Sequence, residues 1–141
     1  MLEGINIDST IPVYVQIENG VQFAIASEEL SPGDKLPSVN ELAARLGVNM
    51  NTIAKAYRDL EVMGLVTARR GMGVFINSGV QAKCRESCRK LIIGRLYEVV
   101  AEAKSAGMSS SQIREIAKKC ISVEGSPYVE PPKEIMAMAK K

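Results

Sequence analysis

Between Ser38 and Gly64 the chain carries two helix starts and two helix stops. Only a pair of short helices joined by a tight turn satisfies all four. Ser38-Val39-Asn40-Glu41 has the Ser-x-x-Glu order of a capping box, in which the serine oxygen accepts the glutamate amide and the glutamate reaches back. Val39, Leu42, Ala43 and Leu46 follow as an apolar stripe, and Gly47 supplies the left-handed residue on which helices commonly end. Asn49 offers the next cap. Ile53, Ala56, Tyr57, Leu60 and Met63 or Leu65 offer the next stripe, and Gly64 the next stop. The run "LVTARRGMGVFI" then predicts strands at 65–68 and 74–76 around a glycine-containing turn at 69–73. Upstream, Val13, Ile17, Val21, Ala24 and Ile25 fall on one face of a helix predicted over 12–30, closed by Ser31-Pro32-Gly33-Asp34 and a short extended piece, Lys35-Leu36-Pro37. Two helices split by a short glycine turn and followed by a hairpin describe a winged helix-turn-helix.

Asn77-Ser78-Gly79 reads as a linker dividing a DNA-binding unit, 1–78, from a second unit, 79–141. Beyond it a helix is predicted over 80–106, roughly 40 Å long at 1.5 Å per residue. Its stripe runs Cys84, Cys88, Ile92, Leu96, Val99, Ala103, and Gly107 stops it. Ser109-x-x-Gln112 is a second capping box, opening a helix with Ile113, Ile116, Ala117 and Cys120 on one face. Two amphipathic helices cannot cover both apolar faces alone, so the pair is read as a dimerisation hairpin. Its expected contacts are Cys88, Ile92, Leu96, Val99, Ile113 and Ile116. From Ile121 the chain is expected to be mostly irregular, with a short helix in "PPKEIMAMAKK". The fold class is therefore mainly α with a small β-hairpin: a winged helix-turn-helix followed by a short two-helix dimerisation unit.

Composition narrows the chemistry. The chain has 141 residues, no histidine and three cysteines. Ser-His-Asp and Cys-His catalysis are thus unavailable, and a zinc site would need carboxylates to join the cysteines. No nucleophile–base pair, phosphate loop or metal cluster is visible, so no catalytic residue, metal or cofactor is expected. No apolar run approaches the roughly 20 residues that span a bilayer, and the N-terminus lacks the basic-then-apolar order of a secretion signal. A cytoplasmic protein without a membrane partner is expected. Residues 1–79 hold six Lys/Arg against nine Asp/Glu, a net −3, while residues 80–141 hold twelve against seven. Nucleic-acid binding by the first half must then rest on local clustering of cations.

The start of the second short helix, "GVNMNTIAKAYRDLE", supplies such a cluster. Asn49 is first of all a cap. Asn51, Thr52, Lys55 and Arg58 point away from the Ile53-Ala56-Tyr57-Leu60 stripe, where a recognition helix presents its side chains to the major groove. An ordinary solvated face would look the same on this helix alone. Arg69, Arg70 and Gly71 at the hairpin tip suit backbone phosphate or the minor groove. Lys35, Ser38 and Arg45 are further candidate phosphate contacts, Ser38 being a cap first. Lys83, Arg85, Arg89 and Lys90 are read as a solvated helix face, with a place near the DNA backbone at the linker as the alternative, and Cys84 and Cys88 as apolar packing, with a redox switch or interchain disulfide as the alternative.

The pieces "PGDKLPS", "ELAARLGV", "AYRDLEVMGL" and "RRGMGVF", in this order and spacing, resemble the DNA-binding domain of GntR-family bacterial transcription regulators. "VNMNTIAKAYRDLE" and the short C-terminal part look like the YtrA subfamily, whose members lack a large ligand-binding domain. The resemblance implies a homodimeric regulator, usually a repressor, bound to a double-stranded, near-palindromic DNA operator through a recognition helix at 49–63 and a wing at 69–73. Asn40 stands where the family commonly has arginine, and Val74 where the wing often has a small hydroxyl residue. A small-molecule effector, of unknown identity, would bind at the two-helix unit or its junction with the winged helix. The alternatives are a winged helix used for protein–protein assembly without DNA, and a thiol-responsive regulator acting through Cys84 or Cys88.

Overall fold

The computed structural model describes residues 2–140; positions 1 and 141, the outer ends of the two expected units, lie outside it. In order the elements are α1 (Val13–Ala26), α2 (Val39–Leu46), α3 (Met50–Val62), β1 (Val66–Arg69), β2 (Gly73–Ile76), α4 (Gln81–Ser105), α5 (Ser110–Ser122), α6 (Lys133–Met136) and a closing 3-10 turn, Ala137–Lys140. α1, α2 and α3 enclose a core with Ile17, Val21, Ile25, Leu42, Ile53 and Leu60 at its centre. Each of these side chains contributes about 1.5–3 kcal/mol by leaving water. The hairpin closes one end through Leu65, Val66 and Ile76, and the start of α4 adds Val80 and Cys84.

α1 ends at Ala26, four residues short of the predicted stop, because the chain turns through Glu28 in a left-handed conformation (φ 67°). The strands pair antiparallel with Val66 opposite Ile76 and Arg69 opposite Gly73. The free edge of β2 is also used. Leu36 N–H donates to the Val74 carbonyl (2.8 Å), and Ile76 N–H to the Asp34 carbonyl (2.9 Å). The extended piece before α2 is thus a third, short rung of the wing.

Asn77, read as linker, is a clamp at the hairpin base. Its side-chain amide donates to the Gly64 carbonyl (2.9 Å), and its side-chain oxygen accepts from the Thr67 hydroxyl (2.6 Å). The C-terminal segment after α5 has little regular structure but is anchored. Asn19 Nδ2 donates to the Tyr128 hydroxyl (2.8 Å) and Asn6 Nδ2 to the Tyr128 carbonyl (2.8 Å), tying it to α1 and the segment before it.

Candidate nucleic-acid interface

Both helices of the helix-turn-helix start as their residues dictate. Ser38 Oγ accepts from Glu41 N–H (3.0 Å) and Glu41 Oε2 from Ser38 N–H (3.2 Å), a complete capping box. The Ser38 hydroxyl proton remains available to a second acceptor. Gly47 closes α2 with φ 67°, and Asn49 caps α3 by accepting from Asn51 N–H (2.7 Å). Asn51, Lys55 and Arg58 are exposed on α3 and Thr52 is partly so. Behind them Tyr57 is buried and donates to the Pro37 carbonyl (2.6 Å), locking α3 to the third rung. Burial pushes its phenol well above the ordinary value, so it stays a donor.

The wing is built around one close approach. Gly73 has φ 126°, and a Cβ on it would lie 2.5 Å from Lys35 Cε. The aliphatic part of Lys35 therefore crosses the hairpin over Gly73, whose φ favours glycine, and Lys35 lies with the wing. Arg69 lies over the Phe75 ring (5.0 Å to its centroid), while Arg70 and Gly71 are exposed at the tip. On α3, Lys55 is also engaged, by Asp59 (3.1 Å) and by the Tyr14 ring (4.7 Å).

The distribution of charge answers the acidic balance of residues 1–79. All six of their Lys/Arg are Lys35, Arg45, Lys55, Arg58, Arg69 and Arg70, every one exposed on α2, α3 or the wing. The acids divide differently. Glu3, Asp8, Glu18, Glu28 and Glu29 lie on α1 or in its flanking segments. The four that share the helix-turn-helix and wing with the cations each have a partner. Asp34 accepts from Ser31 N–H (2.8 Å), Glu41 completes the capping box, Asp59 pairs with Lys55 and Glu61 accepts from Ala68 N–H (2.8 Å). Six cations against four acids leave the helix-turn-helix and wing net positive, although residues 1–79 as a whole are net negative.

Residues 13–76 match the family described as "Bacterial regulatory proteins, gntR family". Over 107 residues the chain is 37% identical to the uncharacterized HTH-type transcriptional regulator YhcF of Bacillus subtilis (strain 168), covering 76% of this chain and 88% of that protein. The chain belongs to the gntR family. This gntR-family regulator is also 34% identical over 111 residues to the HTH-type transcriptional repressor YtrA of the same organism, covering 79% of this chain and 85% of that one. A solved GntR family transcriptional regulator from Listeria monocytogenes has a similar fold, with a TM-score of 0.62 and 32% identity over 83% of this chain and 99% of that chain. These relatives are named as transcriptional regulators, not as enzymes.

The second unit of this gntR-family chain is less self-contained. Cys88, expected at a dimer contact, is 7% exposed and buried within its own chain. Ile92, Leu96 and Val99 instead stand 50–60% exposed, with Leu91, Ile93 and Tyr97 beside them. Ile113 and Ile116 on α5 are half-buried. A cavity of about 730 Å³ opens between α5 and the C-terminal turn, lined by Met108, Ile116, Ile135 and Met136 among others. Lys83, read as part of a solvated face, donates from its ammonium to the Met63 carbonyl (2.8 Å) at the end of α3. That bond and the Asn77 clamp were not visible in the sequence, whereas the Lys55–Asp59 pair was signalled by its four-residue spacing.

Proposed function

We propose that this regulator is a homodimeric, cytoplasmic repressor whose two winged helices, 1–78, bind a near-palindromic double-stranded DNA operator. The observation that carries the reading is the segregation of all six cations of residues 1–79 onto α2, α3 and the wing, where only four of the nine acids accompany them. The first turn of α3 enters the major groove, where Asn51 suits the bidentate edge of adenine and Thr52 a thymine methyl. Arg69, Arg70 and the Gly71 backbone lie along the flanking phosphates, with Lys35 beside them, and Ser38 and Arg45 hold the opposite side. The named function of the relative YtrA, a repressor, supports the sign of regulation.

Pairing through 79–141 is supported by the six apolar side chains between Leu91 and Val99, 42–76% exposed in the single chain. An apolar patch of that kind marks an association surface. Two-fold pairing would impose the half-site spacing of the operator. The cavity between α5 and the C-terminal turn is where an effector of the two-helix unit would fit.

A salt titration with duplex DNA from upstream of the protein's own gene tests the reading. Sequence-preferring binding with a steep salt slope is expected, and Arg70→Ala should reduce that slope by about two, one for each protomer. Absence of binding at low salt would overturn it in favour of a protein–protein module.

A further inference from the structure

Glu18 has no part in the interface described above, yet it lies directly behind it. It sits on α1, 8% exposed, and its Oε1 has no hydrogen-bond partner. It stands on the face of α1 that packs against α3, where its carboxyl group lies beside that of Asp59. Two carboxyl groups in contact, one of them buried, cannot both ionise cheaply, so the favoured arrangement is a single proton on Glu18 donated to an ionised Asp59. Asp59 Oδ2 in turn holds the Lys55 ammonium at 3.1 Å, and that ammonium lies 4.7 Å over the ring of Tyr14, one helical turn before Glu18. Glu18, Asp59, Lys55 and Tyr14 thus form one cluster between α1 and α3. The charged groups bearing on the two carboxyls are Lys55 and Arg58, both from α3; α4, also packed on α1, contributes none.

On the DNA-binding reading above, we infer that Glu18 is a positioning residue for Lys55 and couples operator binding to one proton. With Glu18 protonated, Lys55 faces one carboxylate and keeps charge to offer a phosphate. With Glu18 ionised, a second negative charge stands behind the same lysine, and the face of α3 becomes less attractive to DNA. The phosphates of bound DNA favour the protonated form, so binding takes up a proton and affinity rises as pH falls.

The protein's titration range supports this. Burial, and then the neighbouring Asp59, raise Glu18 to about 7, while Glu18 and then Lys55 draw Asp59 below its ordinary value. The chain has no histidine, and burial raises Cys84 and Cys88 above the usual thiol value.

The test is fluorescence anisotropy of the full chain with its upstream duplex at constant ionic strength, between about pH 5 and 8. Affinity should fall as pH rises, by no more than about tenfold per unit for each protomer engaged, the limit for one proton per Glu18. Glu18→Gln keeps the donor and the shape, and should bind with the low-pH affinity throughout. Lys55→Met should bind more weakly and with a flattened pH profile, which a purely structural role of Glu18 would not produce. Should Glu18→Gln not fold, carbon-13 NMR of the wild-type glutamate carboxyls should show one titrating near neutrality, its midpoint rising when DNA is added. A flat wild-type profile, a slope that survives in Glu18→Gln, or glutamates that all titrate in the ordinary acid range would each overturn the inference. Absence of binding at every pH would instead overturn the DNA-binding reading.

Discussion

The winged helix and the α4–α5 pair use the same device, apolar residues repeating along a helix, and reach opposite ends. In the first, Ile17, Val21, Ile53 and Leu60 are wholly buried by neighbours from the same chain. In the second, α4 buries only Cys84 and Cys88 and α5 buries no residue. A stripe records that a helix needs cover but not whose residues supply it. Three helices and a hairpin, closed by Val80 and Cys84 at the start of α4, cover the winged-helix core. On α4, Leu91, Ile92 and Ile93 are consecutive and so point to different sides, and one antiparallel neighbour cannot cover them all.

Truncating one residue in each region should separate the two cases. Ile53→Ala leaves a cavity under α3 and is expected to cost about 2–5 kcal/mol, read as a lower denaturant midpoint at any protein concentration. Leu96→Asp should act on association. Sedimentation should report a monomer, while the helical circular dichroism and the buried winged-helix core persist. If Leu96→Asp unfolds the winged helix as Ile53→Ala does, the two regions form one cooperative unit and the contrast drawn between them fails.

The cysteines mark the border between the regions. Cys84 and Cys88 are buried, and burial holds both thiols above their usual value, so little thiolate is exposed near neutral pH. Cys120 is exposed on α5. An alkylating reagent should label Cys120 rapidly in the native protein and the other two only on unfolding. Rapid native labelling of Cys84 or Cys88 would revive the thiol-responsive alternative.

The winged helix was readable because local chemistry wrote its punctuation. The Ser38 box, the left-handed Gly47, the Asn49 cap and the Gly64 stop each act within a few residues, and the structure contains all of them. The end of α1 was misread for the same reason. Ser27-Glu28-Glu29 contains no residue that forbids a helix, and the left-handed position falls to a glutamate instead of a glycine. Features made by distant pairs left no mark. Nothing in "KLP" announces pairing with β2, and nothing around Glu18 announces a carboxylate some forty residues on. The candidate site was legible in its α3 face and wing tip, since polarity against a stripe is a local pattern. That Lys35 belongs with the wing follows only from its packing across Gly73.

The smallest effect expected concerns how the two regions are joined. Lys83 reaches from the first turn of α4 to the Met63 carbonyl, at the C-terminal end of α3 where a cation is favoured by the helix dipole. Lys83→Met keeps the apolar stem and removes the donor, and should cost about 0.3–1 kcal/mol in thermal stability. Its influence on DNA binding discriminates between two ways of holding α4. If Val80 and Cys84, which lie in the winged-helix core, fix the direction of α4, the variant should bind a palindromic duplex with unchanged half-site preference. If the Lys83 bond fixes it, the dimer should tolerate spacers that the native protein rejects, because α4 could swing about its first turn. Core burial involves more surface than one exposed hydrogen bond, so unchanged spacing is the expected result.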